Sequence, residues 1–312
     1  IEYCSAAMKE LNMRRLGFTI LAFLLAGCGG TDDETLVLGL IKPSLDHLPY
    51  DFVELADDPV LAGVSVRSFS SGWEANEALA AGKVDAAILP FTYAWTDVDR
   101  GLPVKIVGFL ERESDGIVAR REFATLADLA GRRIGVLRAS TLEVLAVMAL
   151  QDRGIEAELV PLRSPAEMAA ALQAGEVDAL SFYVPPILGF GDDYHVVHWY
   201  GDDHPGHPCC DLAVHTPAAA RKREALDRLR TALAVAATRL ESDRDRAVSA
   251  TAEIFALSPD LSTRALERLR FHAGREETGR RFELAAARVM HELGYLEAIP
   301  DTTDVYLQFP ER

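Results

Sequence analysis

Basic residues are scarce. Across 312 residues, Lys and Arg number 32 against 48 Asp and Glu, a formal charge of −16. That balance excludes a nucleic-acid binder, because displacing counterions from a polyphosphate requires a basic footprint. Cysteine is nearly missing, with four in the whole chain, too few for disulfides to stand in for a hydrophobic core. No uncharged apolar run reaches the roughly 18 residues needed to span a bilayer. No P-loop, HExxH or Ser-His-Asp arrangement is visible, so no common catalytic signature is present. What remains is an ordinary globular composition, 49% hydrophobic and 26% charged, long enough for two compact units or one bilobed protein.

The N-terminus stands apart. Met13-Arg14-Arg15 gives a positive start, and Leu16 to Gly27 is an uncharged, largely apolar run of 12 residues, the pattern of a secretion signal rather than a retained span. The run ends in Leu25-Ala26-Gly27-Cys28, which resembles the lipobox of bacterial lipoproteins. That resemblance implies removal of residues 1–27, lipidation of Cys28, a tether over 28–34 and anchoring to the outer face of a bacterial membrane.

Beyond the tether, strands and helices alternate. Leu36 to Ile41 reads as a buried parallel strand followed by a loop. Val64 to Phe69 is a strand, Glu74 to Ala81 a helix closed by Gly82, and Asp85 to Leu89 a strand stopped by Pro90. The same reading gives strands over 104–110, 116–120, 133–137, 158–162 and 178–183, with helices over 142–153 and 165–173. Such alternation predicts parallel sheets covered by helices. From Ala218 onward the pattern turns helical and charged, with Leu226, Leu229, Leu233 and Ala237 on one face, a C-terminal helical cover. One construction unit recurs. Residues 78–86 and 171–179 share the frame A-L-x-A-G-x-V-D-A, a helix end, a glycine, an acid and a buried strand.

These two frames, the stretch Leu126 to Val136, the Tyr183-Val184-Pro185-Pro186 turn and the ending His291-Glu292-Leu293-Gly294-Tyr295-Leu296 resemble periplasmic solute-binding proteins of the nitrate, sulfonate, taurine and thiamine-pyrimidine ABC importer group. The likeness runs over roughly residues 35 to 300. It implies the type II periplasmic binding protein fold: an α/β chain of two Rossmann-like lobes joined by a hinge of two crossover strands. Lobe one would be 35–118 plus 205–312, and lobe two 119–204. It also implies a monomer that carries a small anionic or heteroaromatic solute to a permease and ATPase complex, without catalysis and without a cofactor. Two alternatives stay open, an enzyme of the pyrimidine-synthesis type on the same fold and an extracytoplasmic solute sensor.

In open α/β sheets, ligands bind beyond the carboxyl ends of the strands, and the loops there supply the candidates. Lys42, Asp46 and His47 follow the first strand, Trp73 the second, Phe91 and Tyr93 the third; Arg138, Ser140, Thr141 and Tyr183 follow strands of the second lobe. Lys42 and Arg138 could pair with an anion. Ser140 and Thr141, at a strand-to-helix junction, could hold an oxyanion or simply cap the helix. The aromatics could stack a planar solute or complete the core. His207, Cys209 and Cys210 fall in a window, His195 to His215, that holds five of the eight histidines. Three readings stay open there: a metal site, hampered by the adjacency of the cysteines; a vicinal disulfide; or two buried thiols on a crossover strand. The expectation is no metal.

Overall fold

The computed structural model describes residues 35–308, apart from 57, 273 and 275. The expected signal segment, Cys28 and the tether lie outside the described residues. Among those described, no helix is long and apolar enough to cross a membrane.

The described residues form twelve strands in chain order: β1 (Leu36–Ile41), β2 (Val64–Phe69), β3 (Ala86–Pro90), β4 (Val104–Phe109), β5 (Glu111–Arg112), β6 (Asp115–Arg120), β7 (Arg133–Leu137), β8 (Glu158–Leu162), β9 (Ala179–Tyr183), β10 (Tyr194–Trp199), β11 (Cys210–His215) and β12 (Arg270–Phe271). Sheet one runs β2-β1-β3-β11-β4, sheet two β8-β7-β9-β6-β10, and β5 pairs with β12. The strands that read as continuous apolar runs lie inside their sheets, with Leu36, Leu38 and Leu40 of β1 and Ile134 and Val136 of β7 fully buried.

The expectation of parallel sheets is corrected in one respect. Within sheet one β11 runs antiparallel to β3 and β4, and within sheet two β6 runs antiparallel to β9 and β10. The cause is topological. After β4 the chain crosses to sheet two through β6, and after β10 it returns through β11, so each sheet's fourth strand arrives from the other side. The expected division at residues 118 and 119 therefore cuts through β6.

The repeated sequence frame is a repeated structure. In both copies a left-handed glycine, Gly82 at φ +66° and Gly175 at φ +76°, ends the helix, a conformation that a side chain would strain. Ala86 then pairs with Leu38 in β1, and Ala179 with Ile134 in β7. The next pairs place Gly39 beside Ala87 and Gly135 beside Leu180.

The helices are α1 (Leu48–Leu55), α2 (Gly72–Ala80), α3 (Phe91–Asp99), α4 (Thr141–Gln151), α5 (Pro165–Ala174), α6 (Thr216–Arg221), α7 (Arg223–Ser242), α8 (Arg244–Phe255), α9 (Pro259–Glu267), α10 (Glu277–Glu292) and α11 (Thr302–Val305). Two of them, α1 and α3, fall where the sequence reads as loop. The C-terminal cover is present. Leu226, Leu229, Leu233 and Ala237 of α7 are all buried, and the α7 and α8 faces share one apolar cluster with Leu48 and Phe52 of α1, Leu172 of α5 and Phe182 of β9.

Candidate functional site

A cleft with ≈ 590 Å³ of empty space, open solvent included, lies between the facing edges of the two sheets. Sheet one contributes Ile41, Ser44 and Asp46 after β1, Ser70, Ser71 and Gly72 after β2, and Pro90 and Tyr93 at the end of β3. Sheet two contributes Leu137, Ser140, Thr141 and Leu142 after β7, Pro165 after β8, and Tyr183 at the end of β9. The reversed strands enter from the other direction. Because β6 and β11 run against their neighbours, their first residues, Asp115 and Cys210, lie at the edge where the other strands finish, and Cys209 joins them.

Of the residues singled out in the sequence, the cleft gathers Asp46, Tyr93, Ser140, Thr141, Tyr183, Cys209 and Cys210. Six others stand elsewhere. Lys42 is held by α1, its Nζ 2.9 Å from Asp51 and 3.8 Å from Glu54. Arg138 is exposed and does not border the cleft. His47 is buried beneath β1, where its Nε2 accepts the Ile41 N–H at 2.9 Å, and burial lowers its pKa to about 3. Phe91 packs edge-on against Phe282 in the core. Trp73 is 52% exposed and meets Tyr93 edge-to-face at 6.5 Å. His207 is buried, with Nδ1 3.0 Å from the His204 carbonyl.

The hydroxyls of Ser140 and Thr141 are engaged within the protein. The Ser140 hydroxyl donates to the Leu137 carbonyl at 2.6 Å, and the Thr141 hydroxyl to the Cys209 carbonyl at 3.1 Å. The Glu143 carboxylate already accepts the Ala139 N–H at 2.6 Å. An incoming anion would meet that negative charge at the start of α4. Among the described residues, no Lys, Arg or His lines the cleft.

Acids and thiols line it instead. Asp46 accepts a hydrogen bond from Cys210 Sγ at 3.3 Å, and burial pushes its carboxyl up to about 6. Asp115 is fully buried; its Oδ1 accepts the Ser114 hydroxyl at 3.1 Å, while Oδ2 has no hydrogen-bond partner among the described residues. Asp115 is not among the candidates read from the sequence, where it falls between the strands expected over 104–110 and 116–120. Behind the wall stands Glu111, whose two carboxylate oxygens also lack partners and whose pKa burial drives well upward. Tyr93 and Tyr183 hold their hydroxyl protons more tightly than usual, again through burial.

Cys209 and Cys210 are free thiols. The contact with Cys210 raises the Cys209 pKa well above its ordinary value, and burial adds to it. One oxygen of Glu111 and the two sulfurs lie within 4.8 Å of one another. Such a group could ligate a soft cation only as thiolates. One residue further along β11, Asp211 faces Glu283 of α10, and Glu283 accepts the Trp95 indole N–H and the Tyr306 hydroxyl, both at 2.7 Å. Burial raises Glu283 to about 7.

Two α/β halves with exchanged strands, closing on a cleft lined from both, define the class of type II periplasmic binding proteins. The chain belongs to the NMT1-like family, whose sequence model matches residues 53–256. Solved structures agree on the fold. The periplasmic aliphatic sulphonate binding protein of Escherichia coli superposes with a TM-score of 0.70 at 20% identity, covering 86% of this chain and 96% of that one. A ligand-binding component of an ABC-type import system from Staphylococcus aureus, with zinc bound, gives 0.74 at 16% identity, covering 88% and 96%. A periplasmic nitrate-binding protein from Synechocystis gives 0.71 at 16% identity, covering 86% and 84%. No curated protein matches this chain in sequence.

Proposed function

We propose that this protein is the extracytoplasmic solute-binding component of an ABC importer, anchored through Cys28 as a monomer and docking on a permease and ATPase complex. The observation that carries the reading is the cleft, walled by strand ends of both sheets and bridged by hydrogen bonds across it. Thr92 of α3 donates to the Ala139 carbonyl at 2.8 Å, and Thr141 of α4 to the Cys209 carbonyl at 3.1 Å. These bonds join the two walls, and a solute held by both walls would shift the population toward closure. No bond of the solute is broken. The heteroaromatic side of the expectation suits the lining better than the anionic side, because tyrosines and apolar side chains face the space and cations do not.

The test is a thermal-shift screen at neutral pH against nitrate, alkanesulfonates, taurine, pyrimidines and organic amines, followed by small-angle scattering. A solute present at about 100 times its Kd should add about 2.7 kcal/mol of stability and reduce the radius of gyration. A flat response to every class would overturn the reading.

A further inference from the structure

We infer that the cleft selects a small organic cation, an amidinium- or guanidinium-like group on a flat apolar body, whose charged end is received between Asp46 and Asp115. The inference rests on the solute-binding reading and deepens it.

The first argument is charge. The cleft lining includes two carboxylates and two thiols and no basic side chain, so an anion entering it would lose hydration without meeting a cation. The second is the state of Asp115. The residue borders the cleft, and its Oδ2 is fully buried with no hydrogen-bond partner among the described residues. An ionised carboxylate in that position is costly unless a donor or a cation meets it. The nearest base is His207, whose Nε2 stands 3.8 Å from that oxygen, beyond hydrogen-bond reach. Its other nitrogen is engaged with the His204 carbonyl.

Asp46 is the second receiver. It is partly accessible from the cleft, and its carboxyl is pushed up first by burial and further by the neighbouring charge of Asp115. A cation between them removes both penalties at once. The remaining walls set the shape. Ile41, Leu137, Leu142, Pro90 and Pro165 are apolar, and the rings of Tyr93 and Tyr183 close the sides, surfaces that suit a flat hydrophobic body. The geometry also favours an organic cation over a metal ion. Among the described residues, the only convergent group of three ligating atoms is Glu111, Cys209 and Cys210. Asp46 and Asp115 do not belong to it, and a hard divalent ion needs more oxygen ligands than two separated carboxylates provide.

The test uses one molecular shape with four charges. Benzamidinium, benzamide, benzoate and benzenesulfonate are titrated calorimetrically into the intact, reduced protein at pH 7.5, then into Asp46→Asn and Asp115→Asn. Benzamidinium should bind at least about ten-fold tighter than the other three, and each variant should lose about ten-fold or more for benzamidinium while changing benzamide less than about two-fold, the pattern of a desolvated charge pair. The Asn variants are near-isosteric, and an unchanged cooperative melt establishes that they fold. Tighter binding of benzoate or benzenesulfonate would overturn the inference and leave the solute-binding reading standing. Tighter binding of benzamide would also overturn it, showing that the two acids act as neutral hydrogen-bond donors. Unchanged benzamidinium affinity in Asp115→Asn would overturn it in favour of the His207 pairing. Failure of all four probes overturns the inference alone, since the broader reading is judged by its own screen of solutes of every charge.

Discussion

Asp85 and Asp178, 93 residues apart, perform the same task in the two sheets. Asp85 accepts the Val37 N–H at 2.7 Å at the start of β1, and Asp178 accepts the Arg133 N–H at 3.0 Å at the start of β7. Each carboxylate sits one residue before a buried strand and ties it to the adjacent parallel strand, where a loose strand end would otherwise leave a donor unpaired.

The two ties differ in their cationic partner, so their removal should differ in cost. Lys222 Nζ lies 2.7 Å from Asp85, and both side chains are 9% exposed. Asp85→Ala leaves that buried ammonium with no countercharge, only the Thr35 carbonyl at 2.9 Å, and should cost about 3–5 kcal/mol. The guanidinium of Arg133 is 41% exposed, so Asp178→Ala should cost only about 1–2 kcal/mol. Urea unfolding of both variants decides; equal losses would contradict the assignment.

The paired glycines predict a second asymmetry. A Cβ on Gly135 would lie 2.6 Å from Leu180 Cδ2 and 3.1 Å from Leu162 Cδ1, whereas on Gly39 the nearest atom is at 3.2 Å. Gly135→Ala should therefore lose about 1–3 kcal/mol by overpacking, and Gly39→Ala less than about 1. Chemical denaturation midpoints at constant m-value measure the difference.

Asp46 and His47 are neighbours that respond to pH with opposite sign. Asp46 binds its proton more tightly when folded, about 6 against 3.8, so its stabilising effect is complete below the unfolded value and is lost as pH rises through 6. His47, lowered to about 3 by burial, contributes stability that is present above 6.5 and declines as pH falls toward 3. Relative to wild type, Asp46→Asn should gain stability as pH rises from 4 to 8. His47→Gln should gain as pH falls from 7 to 4. Melting temperatures of the three proteins across that range, in the absence of solute, test both slopes; parallel curves would refute them.

The hydroxyls that bridge the cleft should set its resting state. Thr92→Val and Thr141→Val each remove one bond between the two walls, worth about 1 kcal/mol, which would weaken solute binding about five-fold and enlarge the radius of gyration of the ligand-free protein. An unchanged scattering profile in the double variant would show that closure does not depend on these bonds.

Anchoring is testable without a ligand. Palmitate should label the wild-type chain in cells and fail to label Cys28→Ala, with the variant released into the soluble fraction. Absence of label in both would remove the anchor.

Much of the fold was legible because its signals are local. The A-L-x-A-G-x-V-D-A frames carry their helix end, turn and strand in nine consecutive residues, and the apolar runs of β1 and β7 announce burial on both faces. Helices α1 and α3 were obscured by composition: Pro49 punctuates the first, and Phe91 to Asp99 is rich in aromatic and β-branched residues with weak helix preference. The site was half legible. Residues after forward strands could be found by rule, but Asp115 begins a strand that runs backwards, and strand direction depends on a partner far away in sequence. Lys42 and Arg138 show where charge is and not what it meets. Asp51 becomes a neighbour of Lys42 only once α1 folds back over it.

The crossing strands carry a mechanical consequence. The chain crosses between the halves as it enters β6 and β11, and the first residues of these two strands, Asp115 and Cys210, border the cleft. Grip and pivot are thus built from one pair of ribbons. A substitution near residues 111–115 or 207–211 should change how fast the jaws part together with how tightly they hold, so residence time and selectivity would evolve in concert.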